Sequence, residues 1–134
     1  MPSTLSEKAR AFLQERHFAV LATINKDGTP QLTTMWYLLQ GDTIMMNTKD
    51  GRIKDLNMKR DPRIAICVED GYNYLTISGT VTLIDDQQTA HQDIYRLTVR
   101  YHGEQKAKRQ LEEQFSKEHR ITLHLPCENI IEKL

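Results

Sequence analysis

Two cysteines, Cys67 and Cys127, are all that this chain of 134 residues contains. They lie far apart and form no C-x-x-C pair, so neither a disulfide framework nor a thiolate metal site is expected. Cys67 sits in the apolar run IAICV, where a buried, reduced thiol is expected. No apolar run reaches the length that crosses a bilayer, and no charged-then-apolar leader is present. A soluble, cytoplasmic protein with no membrane partner is therefore expected. An excess of one charge is also missing, because 18 basic residues balance 18 acidic ones. That balance speaks against a general nucleic-acid binder. It leaves room for a local anion site, since charge acts through its distribution. No repeat, low-complexity segment or linker divides the sequence, and one domain over residues 1–134 is expected.

Signatures of self-contained catalysis are missing as well. There is no G-x-S-x-G, no Cys-His nucleophile pattern and no G-x-G-x-x-G. The five histidines do not group. His119 and His124 fall at a spacing that places them on opposite faces of a strand, and His91 and His102 carry no H-E-x-x-H around them. All five read as surface residues, and no catalytic side chain or metal site is assigned. An enzyme with this sequence would leave the reactive chemistry to a bound cofactor.

What is present is a run of short strands. TLSEKARAFLQER reads as an amphipathic helix with Thr4 and Glu7 as a capping box. FAVLATI, QLTTMWYLLQ and TIMMNT read as three strands of a meander, with Asp27-Gly28 as a hairpin turn. A short helix is predicted from about Gly51 to Lys59, capped by Asp50 and ended by Asp61-Pro62. RIAICVE and YLTISGTVTLID follow as strands. In the second, Gly79 marks a bulge or a bend where a barrel closes. Two helices broken near Gly103 precede the strands RITLHLP and ENIIEKL. Hairpins without regular strand–helix alternation point to a mainly β fold, a small antiparallel barrel with helices at its edges.

Two segments can support chemistry. Residues 47–63, NTKDGRIKDLNMKRDPR, carry Lys49, Arg52, Lys54, Lys59, Arg60 and Arg63. A helix start near Gly51 offers unpaired amides and partial positive charge. Arg52 can present a planar fork to a phosphate, Lys54 can reach the same anion, and Thr48 can add a hydroxyl. The competing reading is a solvated helix face. The strand QLTTMW sets Gln31, Thr33 and Thr34 beside Met35 and Trp36, which suits a flat heteroaromatic ligand or, alternatively, a core strand with Trp36 buried.

The stretches VLATINKDGTPQLTTMWYLL, DTIMMNTKDGRIKDLNMKRDPRIAICVED and YLTISGTVTLIDD together resemble the pyridoxamine 5′-phosphate oxidase-like, FMN-binding split β-barrel superfamily. Within it the chain is most similar to the small flavin/deazaflavin oxidoreductases, over about residues 18–86. The resemblance implies an antiparallel, Greek-key split β-barrel. It implies a homodimer with cofactor at the subunit interface. The ring system would lie along Gln31, Leu32, Thr33, Thr34, Met35 and Trp36. The phosphate would be held by Thr48, Arg52, Lys54 and Asn57, with Tyr72 or Tyr74 contributed by the partner subunit. The implied cofactor is coenzyme F420, with FMN as the alternative, and the acceptor is a small conjugated molecule such as an enone, quinone or tetrapyrrole. Lys59, Arg60 and Arg63 would then either be plain surface or receive the acidic tail of the deazaflavin. A protein that carries flavin, deazaflavin or haem without turnover is a further alternative. QLTTMW and GRIK stand where the vitamin oxidases have R-x-V-L-L-K and S-R-K, and the substrate-binding C-terminal segment of those oxidases has no counterpart here. Vitamin oxidation is not expected.

Overall fold

The computed structural model describes residues 4–134. Its first helix, α1 (Glu7–Gln14), is capped by Ser6, two residues after the Thr4 predicted for that role. The Ser6 hydroxyl accepts from the Ala9 amide at 3.0 Å and donates to the Glu132 carboxylate at 2.9 Å. One side chain thus satisfies a helix-end donor and ties the helix to the last strand.

The strands β1 (Ala19–Ile24) and β2 (Pro30–Met35) form the expected hairpin across Asp27-Gly28. Gly28 has φ of 90°, which an L side chain rarely adopts. The predicted meander then fails at one point. QLTTMWYLLQ is cut in two, and its second half, β3 (Leu38–Gln40), pairs with β4 (Thr43–Lys49) in a different sheet. The break falls at Trp36-Tyr37. Tyr37 is fully buried, its amide donates to the Tyr101 hydroxyl at 3.2 Å, and its own hydroxyl donates to the Leu13 carbonyl at 2.8 Å. Side chains outside the sheets therefore replace the ladder bonds lost where the chain changes sheets.

A short helix, α2 (Ile53–Arg60), leads into β5 (Arg63–Asp70) and β6 (Asn73–Thr80). The predicted long strand YLTISGTVTLID is also divided. Its end, β7 (Thr82–Ile84), joins the other sheet, and Val81 between the two donates to the Pro62 carbonyl at 2.9 Å. Gly79, expected to mark a bulge or a bend, instead pairs with Ile64 in the unbroken β5–β6 ladder, and a Cβ there would meet Leu125 at an ordinary 3.4 Å; the chain changes sheets at Val81. The helices α3 (Gln87–His102) and α4 (Glu104–Glu113) meet at Gly103, as predicted, and a 3-10 turn (Phe115–Lys117) leads to β8 (Arg120–Pro126) and β9 (Asn129–Lys133).

Two antiparallel sheets result, in the orders β2-β1-β5-β6-β9 and β3-β4-β8-β7. They enclose a core that includes Leu21, Tyr37, Ile44, Met46, Ile66, Ile77 and Leu123, without closing into one ring. This is the split barrel that the sequence suggests. Strand β4 is buried on both faces. Ile44 and Met46 enter the main core, whereas Met45 packs with Ile94, Leu97 and Phe115 beneath α3. No helix among the described residues is long and apolar enough to cross a membrane.

The thiols differ from expectation. Cys67 is half-buried on the outer side of β5, and Cys127 is the buried one; both are free. Burial pushes the Cys127 thiol up to about 11.

Candidate functional site: an unpaired cation pair at a helix start

Helix α2 begins two residues past Gly51, with Arg52 rather than Asp50 at its N-cap position and no side chain capping it. The physical reason lies in Asp55. Its fully buried carboxylate accepts from the Gly51 amide at 2.8 Å and from Lys59 Nζ at 2.9 Å. Lys59 also reaches Asp50 at 2.7 Å. The Asp50 carboxylate is thereby engaged by Lys59, which reaches back along the helix, and it does not cap the start. The first backbone bond of the helix runs from the Leu56 amide to the Arg52 carbonyl at 3.0 Å. The amides of residues 53–55 are left as the donors a helix start normally offers.

The six basic side chains of this stretch divide by partner. Lys49 lies 3.7 Å from Glu118, Lys59 binds Asp50 and Asp55, and Arg63 binds Asp61 at 2.7 Å. Arg60 donates to the Ile24 carbonyl and to Asn57 Oδ1, both at 3.2 Å. Among the described residues, the side chains of Arg52 and Lys54 alone in this stretch have no acid or hydrogen-bond partner. Burial holds the Lys54 ammonium below the ordinary lysine range, and the nearby Arg52 and Arg120 charges push it down further. A site that gathers cations and supplies no counter-charge favours an incoming anion.

Two cavities meet at Arg52. One, of about 430 Å³, is lined by Gln31 and Thr33 of β2 and by residues 51–54. The other, of about 250 Å³, includes Thr34, Met35, Trp36, Asn47, Arg52 and Arg120 in its wall. The structure thus brings together Gln31, Thr33, Thr34, Met35, Trp36, Arg52 and Lys54 from the sequence-derived set. Trp36 is half-buried and held from behind, stacked on Tyr101 at 5.2 Å with His102 edge-on at 5.0 Å.

Four members of that set lie elsewhere. Leu32 points to the outer face of its sheet and is 63% exposed. Thr48 is buried in β4, lines neither cavity, and its hydroxyl has no partner. Asn57 is buried and donates to Thr23 and Asn25 at 3.0 Å each, so it braces α2 against β1. Tyr74 sits in β6 opposite Glu69, and Tyr72 is 94% exposed in the adjoining turn. No group of three or more metal-ligating side chains occurs among the described residues. Three of the histidines read as surface residues, His17, His91 and His124, are in fact partly buried. The sequence reading missed Arg120, Asn47 and Phe115, because they come from β8, β4 and the 3-10 turn and share no local pattern.

The family model described as pyridoxamine 5′-phosphate oxidase matches residues 5–123. An F420H(2)-dependent biliverdin reductase of Mycobacterium tuberculosis is 28% identical over 99 residues, covering 72% of each chain. A solved conserved hypothetical protein of Mycobacterium tuberculosis superimposes with a TM-score of 0.80 at 27% identity, over 95% of this chain and 83% of the other. A solved F420 reductase gives 0.73 at 25% identity, over 91% and 94%.

Proposed function

The chain belongs to the pyridoxamine 5′-phosphate oxidase family, and from that premise we propose that it is a reductase that uses coenzyme F420 to reduce a small conjugated acceptor. The observation that carries this reading is the pair Arg52 and Lys54, left without counter-charge at a helix start beside the strand Gln31–Trp36. The similarity to the F420-dependent biliverdin reductase and to the F420 reductase supports the choice of cofactor.

The residues present fit a phosphate-bearing cofactor. Arg52 offers planar paired donors, Lys54 a second cation, and the amides of residues 53–55 further N–H groups. Gln31 and Thr33 line the same groove with polar side chains. In this reading the flat ring lies in the larger groove along Gln31 and Thr33, and Met35 and Trp36 add apolar surface beside it where the strand continues into the wall of the smaller cavity. When bound, the reduced deazaflavin supplies the hydride. The protein binds and orients it, and no side chain acts as a nucleophile. Lys59 and Arg63 already meet carboxylates, so an acidic tail would have to compete with those pairs. Arg60 remains, in a separate groove of about 410 Å³ with Lys26, Ile53 and Leu56.

A homodimer is part of the proposal. The outer face of the five-stranded sheet places Leu32, Ala22, Ala65 and Ser78 in one row and Thr34, Val20, Cys67, Thr76 and Ile131 in the next. A solvated sheet face normally carries charged side chains, whereas these two rows carry none and mix apolar residues with small polar ones. A second copy of the chain covers it in this reading. Replacing Val20 by glutamate should shift the protein from dimer to monomer in sedimentation, and an unchanged dimer would remove this face from the interface.

The cofactor assignment is tested by fluorescence titration of the purified protein with F420 and with FMN. Tighter F420 binding supports the reading. Tighter FMN binding makes the protein an FMN-dependent reductase or oxidase of the same fold.

A further inference from the structure

Arg120 is the least ordinary residue near the site. It opens β8, it is only 7% exposed, and it still forms part of the wall of the smaller cavity. Burying a guanidinium costs several kcal/mol unless its donors are matched, so its partners matter. Its Nε donates to Asn47 Oδ1 at 2.9 Å and its Nη1 to Glu118 Oε1 at 2.9 Å. Its carbon centre lies 5.0 Å from the middle of the Phe115 ring. Its backbone is clamped on both sides by Gln87, whose side chain accepts from the Arg120 amide at 2.9 Å and donates to the Arg120 carbonyl at 2.8 Å. Among the described residues Nη2 has no partner.

The groups behind it are fixed too. Asn47 donates to the Ala90 carbonyl at 2.9 Å and to the Thr122 hydroxyl at 3.2 Å. Thr122 donates to Asp93 at 2.8 Å. Asn47, Thr122, Asp93 and Arg120 are all buried, and they join β4, β8 and α3. Such a chain of satisfied polar groups holds a side chain in one orientation. The Glu118 carboxylate is shared between Arg120 and Lys49, which lies 3.7 Å from it. Arg52 stands in the same wall without a carboxylate, and the rest of the lining mixes the apolar Met35, Trp36, Ile94, Leu97 and Phe115 with the polar Thr34, Asn47 and Gln114.

We propose that this cavity is a second anion-recognition site, in which Arg120, with Arg52 across from it, receives the carboxylate of a planar conjugated acceptor. The assignment rests on the reading that the larger groove at Lys54 takes the cofactor phosphate. Two aromatic side chains and two guanidiniums around about 250 Å³ suit a flat ring system bearing an acid group. A neutral quinone or enone would bring no carboxylate to the free Nη2 of Arg120.

The test uses the full chain and two probes of equal shape, naphthoate and naphthamide. Trp36 is the one tryptophan of the sequence, so quenching of its fluorescence reports binding in this cavity. Calorimetry gives the affinity independently. Naphthoate should bind about tenfold more tightly than naphthamide, the worth of one charge-assisted hydrogen-bond pair. Arg120→Gln should bring that ratio close to one, and Arg120→Lys should keep part of it. Because the readout is a ratio within each folded variant, checked by circular dichroism, a general loss of stability does not mimic it. F420 affinity should change less than about threefold in Arg120→Gln, below the effect of one charged hydrogen bond. Equal binding of the two probes by the unsubstituted chain would overturn the proposal. So would a loss of F420 affinity in Arg120→Gln as large as its loss of naphthoate. If the unsubstituted chain ignores F420 yet prefers naphthoate through Arg120, the cofactor reading fails and the carboxylate site stands.

Discussion

The two ends of α2 use the same residue types for opposite purposes. At its C-terminal end, Lys59 and Arg63 are matched to Asp50, Asp55 and Asp61. At its start, Arg52 and Lys54 lie near each other and near Arg120, and neither of the two has an acid partner. The matched end stabilises the fold. The unmatched start costs stability, because burial and like charge both oppose the Lys54 ammonium. A local sequence of alternating cations and carboxylates thus separates into a brace and a receptor.

The largest expected effect strikes the receptor alone. Replacing Arg52 and Lys54 together by alanine should weaken cofactor affinity by about hundredfold or more, from two lost charge-assisted contacts. The melting temperature should not fall. A titration and a thermal scan of the same sample check both, and a drop in stability with affinity retained would reverse the assignment of the two ends. Lys59→Met should do the converse. It leaves the Asp55 carboxylate buried without its cation and costs about 2 kcal/mol by urea unfolding, with little change in cofactor affinity.

Alkaline pH should separate the ends more finely. Lys59 is raised to about 12, first by its bond to Asp50 and then by Asp55. A folded-state value above the unfolded one means that its stabilisation is complete below the ordinary lysine value of 10.5 and is lost as pH rises through about 12. Lys54 is shifted the other way, so its charge in the free protein is lost below the ordinary lysine range. Anion affinity should therefore decline at a lower pH than stability does. Simultaneous loss of both would mean that the two lysines do not differ. Lys54→Met should remove the earlier decline and slightly raise the melting temperature. The smallest effect belongs to Arg63→Ala. Its partner Asp61 is held down to about 2, but both groups are on the surface, where such pairs contribute little. Neither affinity nor melting temperature should move measurably.

Much of the fold was legible because its signals are local. Alternation and turn residues such as Asp27-Gly28 marked the strands, and Gly103 marked the joint of α3 and α4. The breaks at Trp36-Tyr37 and Val81 were not legible. Apolar character runs unbroken through both, and at each break a backbone amide turns to a distant acceptor, the Tyr101 hydroxyl in one case and the Pro62 carbonyl in the other. The capping assignment of Asp50 followed local propensity and failed because Lys59, nine residues on, competes for the same carboxylate.

For the site, the sequence alone determined that a concentrated run of cations lies next to a glycine at a helix start, beside a polar-aromatic strand. Which of those cations remain free was decided only by tertiary structure, since each neutralising pair depends on geometry between side chains rather than on their order. The same holds for Arg120. It reads as one basic residue at the head of an apolar strand, and only the packing of β4, β8 and α3 turns it into a buried, oriented donor. Periodicity records which face of an element is apolar, but a charge becomes functional through the partners it lacks, and those are set by the whole fold.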